Sequence, residues 1–201
     1  MPGSSTPPAI TPEIEALCAE LAPGSVPTFV PHKAIPSTAE MNCFIDVAAR
    51  VKAEGGSSVL GWAVWEWPGR LLEAELHAVW RAPNGDCVDI TPRQKAISSV
   101  LFLPDPAREY NGRQVNSVRK ALRDHPAIRS LFETQDRLFE FMNRGERADQ
   151  HGELFFSGSE AQELERIASE LQGKLDVVAG LHTPEELRRK RNEKKRRRSK
   201  N

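Results

Sequence analysis

Cysteine is scarce in this chain: Cys18, Cys43 and Cys87 are the only three in 201 residues, and none lies close to another. An odd, scattered set argues against a disulfide scaffold and for a reducing compartment. Neither a Cys-x-x-Cys nor a His-x-x-x-His spacing occurs, so the usual signature of a zinc site is missing and no metal or cofactor is expected. No apolar run approaches the ~20 residues a membrane span requires, and no leader-like segment opens the chain. A soluble cytoplasmic protein is therefore expected. Aromatic residues make up only 6%, with a single tyrosine, and there is no internal repeat. Four tryptophans at 62, 65, 67 and 80 read as core and groove wall, one set packing inward and the other lining a cleft, in preference to a nucleic-acid stacking platform.

What the chain does have is a sharp division of charge. The formal charge is zero, from 28 basic and 28 acidic residues. Residues 188–201 hold ten Lys/Arg against one Glu, a net of +9, which leaves a net of −9 on everything before them. The cations Arg188, Arg189, Lys190, Arg191, Lys194, Lys195, Arg196, Arg197 and Arg198 form a tail that would grip phosphates with little sequence preference. Nucleic acid, an acidic protein or the acidic body itself are its candidate targets.

Residues 1–10, rich in Pro, Ser and Gly, are expected to be disordered. Thr11-Pro12-Glu13 offers an N-cap, an N1 proline and an acidic first turn for a short helix through Leu21, stopped by Ala22-Pro23-Gly24. Residues 25–36 carry three prolines and read as an extended lead-in. Ser37 and Glu40 fit a capping box for a helix running to Gly55-Gly56, with Met41, Phe44, Ile45, Ala48 and Val51 on one face. Cys43 falls in its second turn, where the positive helix end modestly favours a thiolate.

Strands are predicted over 57–67, 71–81 and 86–91. The second alternates, with Leu72, Ala74, Leu76, Ala78 and Trp80 on one face and Glu73, Glu75, His77, Val79 and Arg81 on the other. The turn between the second and third decides whether Asp89 can meet His77. A two-residue Asn84-Gly85 turn puts Asp89 opposite Trp80, on the wrong face; a three-residue Pro83-Asn84-Gly85 turn puts it opposite Val79, on His77's face and diagonal to it. The longer turn is preferred, because proline suits position i+1 and Gly85 the left-handed residue. Helices are predicted over 116–123, 126–143 and 157–179, and Thr183-Pro184-Glu185-Glu186 would cap a last one entering the tail.

Cys43 on a helix, His77 on a strand and Asp89 on the next strand follow one another at separations of 34 and 12 residues. An imidazole can take the proton of a thiol, and a carboxylate can fix the imidazole's tautomer. With the segment HAVWRAPNGDCVDITP carrying the last two, residues 37–92 resemble the core of the transglutaminase-like branch of papain-like thiol enzymes. The resemblance implies Cys43 as nucleophile, His77 as base and Asp89 as its orienter. It also implies an oxyanion donor. No glutamine lies upstream of Cys43, so Asn42 or the Cys43 backbone N–H would take that role, with Trp62 at the substrate side. Phe44 follows the cysteine where many relatives carry Trp.

Read singly, each residue has a plainer explanation: a buried core thiol, a structural histidine beside Trp, an aspartate starting a turn. Their conjunction favours the triad. Cys87 is a rival thiol, and a zinc site from Cys43, Cys87, His77 and His32 is a further alternative that no ligand spacing supports. The expected fold is α+β, a Cys-bearing helix on a small antiparallel sheet within residues 11–105, then a helical region over 106–187 and the basic tail. The expected function is a thiol-dependent amide or ester hydrolase, a protease, deamidase or acyltransferase, acting on a peptide or an amide or ester substrate. The alternative is a non-enzymatic binding module whose tail docks on nucleic acid or an acidic partner.

Overall fold

Helix α1, Pro12–Leu21, opens as its sequence dictates: the Thr11 side chain accepts from the Ile14 amide, and Pro12 occupies the first turn where its missing N–H costs nothing. The structure, a computed structural model, describes residues 3–35, 43–93, 95–150 and 154–182, together with Arg188 and Asn192. The elements after α1 are β1 (Thr28–Pro31), α2 (Cys43–Glu54), β2 (Ser57–Trp67), β3 (Leu71–Arg81), β4 (Cys87–Val88), β5 (Ser99–Pro104), β6 (Val118–Ala121), α3 (Pro126–Met142) and α4 (Gly158–Ala179). The expected capping box at Ser37 and Glu40, and the cap at residues 183–186, lie outside the described residues.

The architecture is α+β. One antiparallel sheet runs β1-β5-β2-β3-β4, and β6 pairs with the other half of β3. The sheet curls until its two ends meet: His32, just past β1, bridges Asp89, just past β4. The bonds Asp89 N–H to Pro31 O (2.9 Å) and Lys33 N–H to Asp89 O (2.8 Å) make that closure.

On one face of β3, Leu72 and Ala74 join Trp62, Val64, Leu101 and Leu103 under α1. Further along the same face, Ala78 and Trp80 pack with Cys43 and Val47 of α2. The other face, expected to be polar, is also buried: Val79 sits with Val30, Ala63, Trp65, Val100 and Phe102, while Glu73 and His77 are 4% and 5% exposed. Helices α3 and α4 pack against the β2–β3 turn through Ile128, Leu131, Leu175 and Val178 on Trp67 and Leu71. Arg70 in that turn donates to the carbonyls of Val178, Ala179 and Leu181 at and just past the end of α4.

Several expectations need correction. Residues 118–121 form a strand inside the predicted helix over 116–123. Strand β4 pairs only the far end of β3, so residues 71–74 have a free edge that β6 fills. The region after residue 105 is thus not purely helical. The amino-terminal stretch is docked: Ser5 exchanges two backbone hydrogen bonds with Glu66, and the Thr6 hydroxyl donates to the Ser99 carbonyl. It continues the ladder on β2 beyond the last β5 partner, Val64. The proline-rich lead-in contains β1, and the apolar run before Pro104 is β5. The inward stripe of α2 is Cys43, Phe44, Val47 and Val51, rotated from the expected one, so that Ile45 is 51% exposed.

Candidate active site

The turn joining β3 to β4 sets the site. Arg81 pairs with Cys87, and Ala82 receives the Gly85 N–H on its carbonyl (2.8 Å), leaving Pro83, Asn84 and Gly85 as a three-residue turn with Gly85 at φ 93°. Glycine is needed there because the left-handed region penalises a Cβ. Trp80 therefore faces Val88, and Asp89 follows on the side of Val79 and His77. The result is the intended contact: His77 Nε2 and Asp89 Oδ1 are 2.9 Å apart, with Asp89 fully buried.

Helix α2 carries Cys43 to the same place. Its carboxyl end is fixed by a 3.0 Å hydrogen bond from Trp80 Nε1 to the Gly55 carbonyl and by the Arg50 guanidinium lying 4.9 Å from the Trp80 ring. Gly56 permits the close return: a Cβ there would lie 2.1 Å from the Arg81 carbonyl oxygen. At the other end Cys43 is 6% exposed and packs among Val47, Ala78, Trp80 and Ile90. Its sulfur lies near enough to the His77 ring to act on the imidazole's protonation. The three residues singled out from the sequence converge.

Electrostatics follow from this packing. Burial alone would lower His77, but hydrogen bonds and charge from Asp89 and Cys43 outweigh it and lift the imidazole to about 9. Burial alone would raise the Asp89 carboxyl. His77, the Arg93 charge and the Thr91 amide together hold it well below the usual carboxylate range. The site thus favours an imidazolium beside an ionised carboxylate. Phe102 meets His77 edge-on at 6.4 Å, and Gly61 is its partner across the ladder.

Three neighbours escaped the sequence reading in these roles. His32 Nδ1 lies 3.0 Å from Asp89 Oδ2, and Arg93 reaches the same oxygen at 3.3 Å. Tyr110, in the loop after β5, stacks on Phe44 with ring centroids 3.7 Å apart. Burial, with the charge of Cys43 nearby, raises its hydroxyl above the ordinary tyrosine value. Only register with the unrecognised β1 would have brought His32 to Asp89, and nothing local marks Tyr110.

Of the remaining candidates, Asn42 lies outside the described residues. Trp62 is 1% exposed in the core beneath α1 and donates to Asp105 at 3.0 Å, so it offers nothing to a substrate at Cys43. Its neighbours Trp65, Trp67 and Trp80 are buried as well, and no tryptophan set lines an open cleft. Cys87 is half-buried against the Val79 cluster. Among the described residues, no group of three or more His, Cys, Asp or Glu side chains is arranged to hold a metal ion, and no helix is long and apolar enough to cross a membrane. Of the tail, the described Arg188 is exposed and helical; Arg189, Lys190, Arg191, Lys194, Lys195, Arg196, Arg197 and Arg198 lie outside the described residues.

No family model, curated protein or solved structure matches this chain, so the site is read from its own geometry.

Proposed function

We propose that the chain is a cytosolic thiol-dependent acyl-transfer enzyme, an amide or ester hydrolase, protease, deamidase or acyltransferase, on a transglutaminase-like Cys-His-Asp core. The observation that carries the reading is the buried His77 ring, held by Asp89 on one nitrogen, with the Cys43 thiol near enough to act on its protonation. A nucleophile, a base and an orienter in mutual reach are what covalent acyl transfer requires.

The chemistry then runs through these atoms. His77 first takes the Cys43 proton, giving the imidazolium that the site favours; the sulfur then attacks the substrate carbonyl carbon and the carbonyl electrons move onto oxygen. Asn42 or the Cys43 backbone N–H would steady that oxygen. As the intermediate collapses, His77 returns the proton to the departing amine or alcohol, leaving an acyl thioester on Cys43. Water or an amine then loses a proton to His77, attacks the thioester and restores the thiol. Asp89 stays ionised throughout and fixes the ring.

A second reading, a binding module with a structural Cys-His-Asp cluster, is favoured by the low exposure of Cys43, 6%. Alkylation with iodoacetamide at pH 7, followed peptide by peptide, separates the two. Under the enzyme reading Cys43 reacts fastest of the three cysteines and slows in His77→Ala. Cys18 is the internal control, because burial, with the negative Glu15 nearby, pushes its thiol up to about 11. Equal sluggishness at Cys43 and Cys18, untouched by His77→Ala, would establish the binding module instead.

A further inference from the structure

Building on the thiol-enzyme reading, we propose that His32 is a positioning residue, which clamps the Asp89 carboxylate against His77 from across the closed seam of the sheet. The need for such a clamp follows from the shortness of β4. Its ladder with β3 consists of Arg81↔Cys87 and Trp80↔Val88 only, so β3 does not hold the Asp89 backbone. That task falls to the chain after β1, where Pro31 O accepts from Asp89 N–H and Lys33 N–H donates to Asp89 O. His32 sits between those two bonds, and its register against Asp89 is therefore fixed by the backbone.

The side chains continue the same clamp. Asp89 Oδ1 faces His77 Nε2 at 2.9 Å and accepts from the Thr91 amide at 3.2 Å; Oδ2 faces His32 Nδ1 at 3.0 Å and Arg93 at 3.3 Å. Each oxygen thus has two partners, which fills its lone pairs and removes the carboxylate's freedom to rotate. On Oδ2, His32 is the nearer and the more buried partner, its side chain 9% exposed against 19% for Arg93. Around this carboxylate the charged and titratable groups are His32, His77, Arg93 and, beyond His77, Cys43 and the Tyr110 hydroxyl. A group that orients the orienter acts on the nucleophile only through His77.

That route makes the proposal separable from a merely structural role. The experiment measures iodoacetamide alkylation of Cys43 in the full chain from pH 5 to 10, in wild type, His32→Ala, His32→Asn, His32→Gln, His77→Ala and the His32→Ala/His77→Ala double variant. The expected result for His32→Ala is a fall of about tenfold at pH 7, the worth of one hydrogen bond to a charged group. His32→Asn, whose amide nitrogen falls near the Nδ1 position, should stay close to wild type, while His32→Gln, which reaches past it, should not. In the His77→Ala background, His32→Ala should change nothing further. A His32→Ala profile identical to wild type, or the same fold-change with and without His77, overturns the positioning role while leaving the enzyme reading intact. If His77→Ala leaves Cys43 unaltered, the enzyme reading itself fails and the proposal with it. Should His32→Ala not fold, the Asn and Gln variants decide the matter: equal rates for the two overturn it.

Discussion

Asp89→Asn keeps the shape of the side chain and removes its charge, so it isolates what the carboxylate contributes. Asp89 is fully buried and faces His77, His32, Arg93 and the Thr91 amide. Removing one member of a buried charged set leaves the others uncompensated, a loss of about 3–5 kcal/mol. The pH dependence sharpens this. His77 is raised to about 9 from an unfolded value of ~6.5. Its contribution to stability is therefore fully present below pH ~6.5 and lost as pH rises through about 9. Asp89 is depressed, so its contribution is present above its unfolded value of ~3.9 and lost as pH falls toward the folded one. Both contributions are complete between pH ~4 and ~6.5. Urea unfolding of wild type and Asp89→Asn at pH 6 should give the full difference of about 3–5 kcal/mol, and at pH 10 a clearly smaller one, because His77 is then neutral in both. A cost under ~1 kcal/mol at pH 6, or equal costs at the two pH values, would refute the reasoning that Asp89 serves a charged His77.

Arg70→Met keeps an apolar stem beside Trp67 but removes the bonds to Val178, Ala179 and Leu181. It should cost about 3 kcal/mol in urea unfolding and open a protease site near the end of α4. Tyr110→Ala removes the ring stacked on Phe44 and should speed Cys43 alkylation several-fold, while Tyr110→Phe should not; a slower Tyr110→Ala would show that the ring assists the sulfur instead of covering it. If the tail of residues 188–201, with its net +9, contacts phosphates, deleting it should abolish most binding to long nucleic acid, and the affinity of the full chain should fall steeply with salt. Equal binding by both forms in a filter assay would remove the tail from any such role.

How far the sequence carried the fold depends on whether each segment's partner was local. The bounds of β2 and β3 were legible because Pro68-Gly69 turns the chain back on itself and both strands are rich in β-branched and aromatic residues. The β3–β4 register was legible too, since Pro83, Asn84 and Gly85 each suit one position of one turn. That single register decision placed Asp89 with His77. Where the partner is distant, the reading failed. Nothing local makes residues 118–121 a strand; Arg119 is drawn there by the buried Glu73, 46 residues away, at 2.9 Å. Ser5 and Thr6 are held by Glu66 and Ser99, and the short β1 by β5, so composition alone suggested disorder and a lead-in. In α2, Phe44 and Ile45 were both read onto the inward stripe, and the place of β3 keeps Phe44 there and leaves Ile45 exposed.

The same dependence on distant partners explains why β3 tolerates Glu73, Glu75 and His77 on a face that is largely buried. Burial raises Glu73 above the ordinary carboxylate value, and Arg119 on β6 opposes that rise. Glu75 accepts from Trp65 Nε1 on β2 at 2.9 Å, and His77 meets Asp89 past β4 at the same distance. Successive residues of one face are thus satisfied by three different segments, each arriving from elsewhere in the chain. Such pairs contribute less to net stability than apolar substitutes would, because desolvation offsets most of their attraction. What they do is penalise wrong register. A slip of one residue in β3 would turn Glu73, Glu75 and His77 to the opposite face, into the apolar clusters under α1 and α2, without Arg119, Trp65 or Asp89. The polar face that fixes the strand therefore also fixes His77, and the alignment of the candidate base is a by-product of the alignment of the sheet.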